Sequence, residues 1–380
     1  MNIEILKVGA KETHDWGHVV SWVYAHKPPY EDQYDLNPGE ARYLAKLDGR
    51  PVGACTIYDM PVVRLDSNLK CGGVAGVATL PEFRGTGVAD RLMRGILEEM
   101  RDMGHAISAL YPYRSTYYRR FGYENCGWRW QIKCPQQRLP QWKPQLPIRQ
   151  LSQDDIQRLD DVYVPFVRRR SGSIIRTLED WHHRLGKVTP MVYIIGEPAE
   201  AYLWVNMDEF WGDANVGELA WTTRRGYETA LSLVSSLCAN QSSATWYEPP
   251  DSPFVGSHLD QGIVATLNRQ TMYRVVDVKL ALSSLVSTFE GSFEFAVEDD
   301  VCPWNAGVWK VGFGPSGTDV VPGSDPGFRI DVRHLVQAIM GQPSLSDLLR
   351  EGKVEVTRQA DLESAVQSLE PVPVVCMEFF

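Results

Sequence analysis

The N-terminal part of the chain contains short, mainly apolar runs bounded by turn residues, which predict β-strands. Two such segments, Arg42 to Leu47 and Pro51 to Ile57, flank Asp48-Gly49, a pair typical of a tight hairpin turn. A further strand pattern covers Val74 to Thr79. Apolar residues then recur at every fourth position from Val88 to Met100, which predicts a helix with one apolar face. The order of strands, turn and helix indicates an α/β unit.

The same order recurs later in the chain in a weaker form. The segment from Val192 to Val205 has the pattern of a hairpin, and Gly217 to Trp221 has that of the strand before the turn. A helical pattern follows Gly226. We interpret these segments as a degenerate internal repeat, although two unrelated α/β segments would give a similar pattern.

The chain divides into three predicted units. The proline-rich stretch from Pro135 to Pro147 is typical of an extended linker, and a third unit of short strands and helices starts near Leu285. The apolar run from Val372 to Phe380 should be docked against the protein, because a free tail of this composition would aggregate. The predicted organisation is a first domain over residues 1–135, a linker over 136–147, a second domain over 148–284 and a third over 285–380.

Composition excludes several classes of protein. With 380 residues, 44% hydrophobic and 23% charged, the chain is typical of a globular protein of two or three domains. The net charge of −10 argues against a nucleic-acid-binding protein. It is compatible with cationic substrates, although solubility is the first role of net charge. No segment has the pattern of a membrane span or signal peptide, so we expect a soluble, cytoplasmic protein that binds no membrane. The seven cysteines and eight histidines lack the spacings of disulfide frameworks and zinc sites, so we expect no metal.

The candidate chemistry lies between Gly76 and Ala89. Gly85 and Gly87 stand between a predicted strand and a predicted helix, where small residues let the backbone approach an anion and the helix start offers unpaired N–H groups. This pattern indicates a pyrophosphate-binding turn, with a purely structural turn as the alternative. It is neither a Walker loop, which needs Gly-Lys-Ser/Thr, nor the dinucleotide fingerprint, which needs a third glycine.

Arg84-x-x-Gly87-x-Ala89 resembles the arginine/glutamine-x-x-glycine-x-glycine/alanine motif of the GCN5-related N-acetyltransferases (GNAT). The wider stretch, including Tyr118 to Tyr123, resembles the enhanced intracellular survival (Eis) branch of that superfamily, and the resemblance extends over nearly the whole chain. It implies an α/β (α+β) fold of two tandem GNAT-type mixed-sheet domains, the second degenerate, and a C-terminal sterol-carrier-protein-like α+β domain. It also implies a homo-oligomer, a hexamer.

The resemblance implies acetyl-coenzyme A (acetyl-CoA) as co-substrate and assigns residues to it. The strand edge would pair with the pantetheine amides, and the glycine turn, stabilised by Arg84, would wrap the pyrophosphate. A pair beyond the next strand would also touch the donor, although the family often has small or acidic residues there. The expected donor-binding residues are Val77, Ala78, Thr79, Arg84, Gly85, Thr86, Gly87, Val88, Ala89, Asp90, Tyr113 and Arg114.

The resemblance also assigns the two proton-transfer roles. Tyr118 matches the family's general acid, and a phenol can protonate a departing thiolate. Several other tyrosines lie close by in the sequence, so the choice of Tyr118 rests on the resemblance. The family's general base is the carboxylate of the last residue, here Phe380, and Glu378 could share this role or bind a cationic substrate. A tail docked for packing alone is the alternative.

Aromatic and acidic residues near the N-terminus suit a polycationic, ring-bearing amine such as an aminoglycoside, through ion pairing and cation–π contact. A solvated acidic loop is the alternative. The expected substrate-binding residues are Trp22, Tyr24, Glu31, Asp32, Asp35 and Glu378. In the second unit Tyr227 and Glu228 stand where the motif needs small residues, and we expect them to crowd a pyrophosphate and prevent donor binding.

Together these observations predict an N-acetyltransferase that transfers acetyl directly to primary amines of a small molecule, without a covalent acyl-enzyme. Two alternatives remain open. The first keeps the chemistry but changes the acceptor to polyamines or to the lysines and N-termini of proteins. The second is a lipid-binding protein that acts through its C-terminal domain, with the acetyltransferase units purely structural.

Overall fold

The protein is seen in a computed structural model that describes residues 2–24, 39–186, 191–207, 212–269 and 271–378. The first ten strands are β1 Ile3–Lys7, β2 Glu40–Leu47, β3 Arg50–Arg64, β4 Ser67–Thr79, β5 Ile107–Leu110, β6 Glu124–Asn125, β7 Arg129–Pro135, β8 Ile148–Gln150, β9 Ser171–Ile174 and β10 Met191–Ile195. The next are β11 Ala201–Met207, β12 Asp213–Trp221, β13 Ser243–Glu248, β14 Val264–Asn268, β15 Met272–Val275, β16 Gly291–Glu298, β17 Gly307–Gly314, β18 Gly317–Pro322, β19 Phe328–Asp331 and β20 Val354–Val356. The helices are α1 Thr13–Val23, α2 Val88–Asp102, α3 Ser115–Tyr118, α4 Asp160–Arg168, α5 Leu178–Gly186, α6 Arg224–Leu237, α7 Pro253–Ser257, α8 Val278–Ser283, α9 Val332–Met340, α10 Leu345–Arg350 and α11 Gln359–Ser368.

The strands form three sheets. The first has the order β1-β2-β3-β4-β5-β15-β6, with β9 paired to β3, and the second has the order β14-β7-β13-β12-β11-β10-β8. The third, in the C-terminal unit, has the order β18-β17-β16-β19-β20. In the first two sheets parallel pairs (β4 with β5, β12 with β13) lie among antiparallel ones. The predicted fold class, two mixed-sheet units and an α+β unit, is confirmed.

Three strands lie in a different sheet from the one expected. β7 belongs by sequence to the first unit, but it lies in the second sheet between β14 and β13. β9 and β15 belong by sequence to the second unit, but they lie in the first sheet, where β9 pairs with β3 and β15 lies between β5 and β6. An apolar strand pattern identifies a strand but not its neighbours, so the sequence could not predict this exchange. The first two sheets therefore each contain strands from both units.

The predicted helix α2 packs its apolar face against the first sheet. Its buried residues are Val88, Leu92, Met93, Ile96, Leu97 and Met100, which is the expected face. Burial of each large side chain contributes about 1.5–3 kcal/mol, so this face alone supplies on the order of 10 kcal/mol of gross stabilisation. The packing fixes where the helix begins, and with it the position of the glycine turn.

A β-bulge in β4 opens the centre of the first sheet. Along the β3–β4 pair, Ala54 faces Ala78 but Thr56 faces Ala75, so the register shifts between them. Gly76 lies at this shift with φ +59°, a conformation that favours glycine. The parallel pairing of β4 with β5 ends at Val74 and Leu110, where β5 itself ends. The last residues of β4 therefore extend beyond β5, and the edge that faces away from β3 lies outside that pairing.

Three further findings concern membrane spans, metal ligands and the cysteines. Within the described ranges, no helix combines the length and apolar composition that a membrane span needs. Among the same residues, no three His, Cys, Asp or Glu side chains are grouped so that they could hold a metal ion. All seven cysteines are buried and unbridged, including Cys55 and Cys376, which the sequence suggests as small core residues.

Candidate active site

The glycine turn presents the start of α2 as a site for an anion. Gly85 and Gly87 have φ of +81° and +88°, and a Cβ built on either would have no neighbour within 4 Å. Backbone conformation rather than crowding therefore selects glycine at both positions. The first intrahelical bond runs from the Arg91 N–H to the Gly87 carbonyl, and no described side chain caps the helix. The N–H groups of Val88 and Ala89 thus lack intrahelical acceptors at the positive end of the helix dipole.

Side chains around the turn stabilise it and offset its one acidic group. The Thr86 hydroxyl donates to the Phe83 carbonyl at 2.6 Å, which closes the turn. The Asp90 carboxylate accepts from Arg94 Nε at 2.9 Å and from Arg120 Nη2 at 3.0 Å. With two guanidinium groups on Asp90, the start of α2 is not dominated by negative charge.

The edge of β4 beyond the bulge offers main-chain groups away from β3. The Leu80 N–H donates to the Val52 carbonyl in β3, so Ala78, two residues earlier, also faces β3. The Val77 carbonyl faces the other way and accepts from the Tyr24 hydroxyl at 3.3 Å. Of the three residues expected at this edge, Val77 and Thr79 therefore present their main-chain groups to the opening, whereas Ala78 does not.

Tyr118 ends α3 in a cluster of tyrosines beside this opening. Its side chain is 4% exposed, and its ring lies 5.8 Å from that of Tyr113, 5.1 Å from Tyr117 and 6.3 Å from Tyr123. Burial, and then the neighbouring hydroxyls with Tyr24 foremost, raise the pKa of Tyr118 well above its usual value. The phenol is therefore protonated at every physiological pH, as a proton donor must be.

The remaining expected residues fall into three groups. Tyr113 is 74% exposed and covers Tyr117 and Tyr118, and Arg114 is exposed beside it at the start of α3. Trp22 is 59% exposed on α1, where it stacks on His18, and Arg84 is exposed at the glycine turn. The third group lies outside the described residues and consists of Glu31, Asp32, Asp35 and Phe380.

The C-terminal segment is docked, as predicted, and it reaches the opening between β4 and β5. It runs parallel to β9, with the Ser171 N–H donating to the Pro373 carbonyl at 2.9 Å and the Val375 N–H donating to the Ser171 carbonyl at 2.8 Å. Tyr111 directly follows β5, and its hydroxyl donates to the Glu378 carbonyl. The main chain at Glu378 is therefore held by the side chain of the residue that follows β5.

The Glu378 side chain is bound by donors of the second unit. Its carboxylate accepts from the Tyr163 hydroxyl at 2.8 Å and from Arg176 Nε at 2.9 Å, and Arg184 completes the set at 3.4 Å. All three donors belong to the second unit. These contacts favour a structural role for the Glu378 carboxylate, and its expected role in substrate binding or as a shared base stays a prediction.

The corresponding helix of the second unit has a side-chain cap and a carboxylate at its start. The Thr223 side chain caps α6 by accepting from the Gly226 N–H at 3.1 Å, and the Glu200 carboxylate accepts from Thr223 and Arg225 at the same helix start. Tyr227 is buried, and its hydroxyl donates to Glu248 at 2.6 Å, so it does not crowd the helix start as expected. The cap and the acid, rather than Tyr227, disfavour a pyrophosphate here.

Comparisons with known proteins agree with this reading of the first unit. The model of the acetyltransferase (GNAT) domain family matches residues 4–126, and that of the sterol carrier protein domain matches residues 278–377. The chain is 23% identical over 322 residues to an uncharacterized N-acetyltransferase of Streptomyces coelicolor, an alignment that covers 79% of this chain and 78% of the relative.

Solved structures share the whole fold. A probable N-acyltransferase from Enterococcus faecalis has a TM-score of 0.89 at 18% identity, and Eis1 from Mycobacterium abscessus has a TM-score of 0.80 at 19% identity. Both comparisons cover 100% of each chain. The sequence of the first unit thus matches an acetyltransferase (GNAT) domain, that of the C-terminal unit matches a sterol carrier protein domain, and the fold of the whole chain is shared with these structures.

Proposed function

We propose that this N-acetyltransferase of the GNAT type transfers acetyl directly from acetyl-CoA to primary amines of a polycationic small molecule. The observation that carries the proposal is one juxtaposition in the first unit. The uncapped start of α2, the open edge of β4 and the buried hydroxyl of Tyr118 surround the point where β4 and β5 diverge. The resemblance to the Eis family supports the same assignment.

The residues present fit the donor. Val88, Ala89 and Asp90 would direct their N–H groups to the pyrophosphate, and the positive φ of Gly85 and Gly87 allows the backbone to approach it. The edge at Val77 and Thr79 would pair with the pantetheine amides as an added strand does. Arg84, Tyr113 and Arg114 lie at the rim, where exposed side chains can contact the nucleotide. When bound, the donor supplies the acetyl thioester.

Tyr118 would act as the general acid. Its raised pKa keeps the phenol protonated until the leaving sulfur develops charge. Burial would raise the pKa of that thiol as well, so proton transfer does not need an unusually acidic phenol. A main-chain N–H at the β4 edge would polarise the thioester carbonyl and stabilise the charge that develops on its oxygen.

The carboxylate of Phe380 would act as the general base. The Tyr111 hydroxyl holds the Glu378 carbonyl, and a further two residues can span up to about 7 Å, which would allow the Phe380 carboxylate to approach the point where the strands diverge. An α-carboxyl has a pKa near 3.5 and an alkylammonium one near 10, so burial of the carboxylate or a relay through water must bridge the difference.

The acceptor would be a ring-bearing polycation such as an aminoglycoside. Trp22 offers an exposed aromatic face, and Glu31, Asp32 and Asp35 offer carboxylates close by in the sequence. The net charge of −10 attracts such substrates to the surface. The protein would act as a homo-oligomer, a hexamer, as the Eis family does.

A thiol-release assay with acetyl-CoA tests the proposal. The acceptors should include several aminoglycosides, spermidine and a lysine peptide. Release of coenzyme A with an aminoglycoside, faster than with spermidine or the peptide, is the expected result. A preference for spermidine or the peptide would reject the acceptor class, and no release with any amine would reject the proposal. A thermal shift with fatty acids but not with acetyl-CoA would favour the lipid-binding alternative.

A further inference from the structure

A buried network of charged side chains in the second unit holds the C-terminal segment. Arg176 is fully buried and donates to both oxygens of Glu218, at 2.7 and 2.9 Å, while its Nε donates to Glu378 at 2.9 Å. Arg184 donates to Glu218 at 2.9 Å and to the Met377 carbonyl at 2.7 Å. Two guanidinium groups and two carboxylates therefore balance, and we call these four residues the tail clamp.

The aromatic side chains around the tail clamp keep it rigid. The Arg176 guanidinium lies 4.1 Å from the ring centre of Tyr163 and 4.4 Å from that of Trp181. The Tyr202 hydroxyl donates to Glu218 at 2.6 Å. Burial alone would raise the pKa of Glu218, but the charges of Arg176 and Arg184 lower it to about 2. Glu218 is therefore ionised, and its hydrogen bonds fix the direction of both guanidinium groups.

The segment held by the tail clamp is also fixed along its length. The Ser173 hydroxyl donates to the Val375 carbonyl at 2.9 Å and accepts from the Met377 N–H at 3.2 Å. A Cβ at Gly127 would lie 2.1 Å from the Val374 carbonyl oxygen, so the segment also packs tightly against the first unit. Glu378 is thus held at two points. The second unit binds its side chain, and Tyr111 of the first unit binds its carbonyl.

We propose that the tail clamp is a positioning device: the second unit fixes Glu378 and so directs the chain that follows it towards the acetyl-transfer site of the first unit. This inference rests on the proposed function. Glu378 is the positioning residue that the tail clamp grips, and Arg176, Arg184 and Glu218 set its direction. Placement matters because a displacement of about 1 Å at a reacting group can cost on the order of 100-fold in rate.

Substitution of Glu378 tests this idea best, because the Arg176–Glu218 pair persists without it. Glu378→Ala should lower kcat on the order of 10- to 100-fold, with acetyl-CoA affinity unchanged within about 2-fold. Glu378→Gln, which keeps the length and one acceptor oxygen, should recover part of the loss. Glu355→Ala removes an exposed carboxylate from the same unit and should have no effect.

A second control separates positioning from general loosening. Val372→Ala removes a buried side chain from the same segment but leaves the tail clamp intact, so it should lower the melting temperature without lowering kcat. Wild-type turnover in Glu378→Ala would overturn the proposal, as would an equal loss of kcat in Val372→Ala.

A readout without catalysis distinguishes failure of this inference from failure of the proposed function. Carboxypeptidase A should release the last phenylalanine faster from Glu378→Ala than from the wild-type chain or from Glu355→Ala. An inactive wild-type enzyme would reject the proposed function, and the release rates would still report whether the tail clamp holds the segment. Equal release rates would overturn the tail clamp itself.

Discussion

A single added charge at Gly87 probes whether the pyrophosphate lies at the start of α2. Gly87 has φ +88°, so any other residue there costs about 1–2 kcal/mol in stability. Gly87→Gln and Gly87→Glu have nearly the same size and the same backbone strain, and a Cβ at this position meets nothing within 4 Å. The two variants therefore differ essentially in one negative charge.

The expected effect of that charge follows from Coulomb's law. A carboxylate about 5 Å from a pyrophosphate with about two charges is repelled by roughly 2 kcal/mol at the dielectric constant of water. Gly87 is exposed, so this water-like limit applies. Coenzyme A should thus bind about 30-fold more weakly to Gly87→Glu than to Gly87→Gln, since 1.4 kcal/mol corresponds to a factor of ten.

Isothermal titration calorimetry at low and high salt measures this difference. The ratio between the two variants should shrink as salt rises, because exposed charges are screened within about 10 Å at 0.1 M. Melting temperatures should be lowered equally in both. If the glutamate variant binds coenzyme A as tightly as the glutamine variant, the pyrophosphate does not lie at this turn.

Three other predictions test the proton transfers and the tail clamp. Tyr118→Phe should lower kcat on the order of 100- to 10,000-fold with little change in coenzyme A affinity, and wild-type turnover would reject its role as the acid. Deletion of Phe380, or a tag added after it, should abolish turnover while the circular dichroism spectrum stays unchanged; an active tagged enzyme would remove the terminal carboxylate from the mechanism. The lowered pKa of Glu218, about 2, means that its ionised form contributes stability above the unfolded pKa near 4.3, which is lost as the pH falls towards 2. Urea denaturation between pH 5 and 2.5 should therefore show a steeper loss in the wild type than in Glu218→Gln, and equal slopes would contradict this.

Local patterns allowed much of the fold to be predicted, because they depend on neighbours in the sequence. The apolar face of α2, the hairpin of β2 and β3 and that of β10 and β11 all occur as expected. The exchange of β7, β9 and β15 between sheets could not be predicted, since strand patterns do not specify partners.

The candidate site shows the same division. The glycine turn could be found because the positive φ angles that it requires are met by two glycines close together in the sequence, Gly85 and Gly87. The partners of Glu378 could not be found in the same way, because Arg176 lies 202 residues away in the chain. The sequence also does not show whether a carboxylate binds a substrate or an arginine of the same chain. The partners of Glu378 were missed because tertiary contacts, not residue type, determine what a charge binds.

The account depends most on where the donor binds, and a crystal structure of the protein soaked with coenzyme A tests this directly. Density should run along the β4 edge at Val77 and Thr79 to the N–H groups at the start of α2, with one molecule in each chain. Density at the start of α6, or at any position away from the divergence of β4 and β5, would contradict the account.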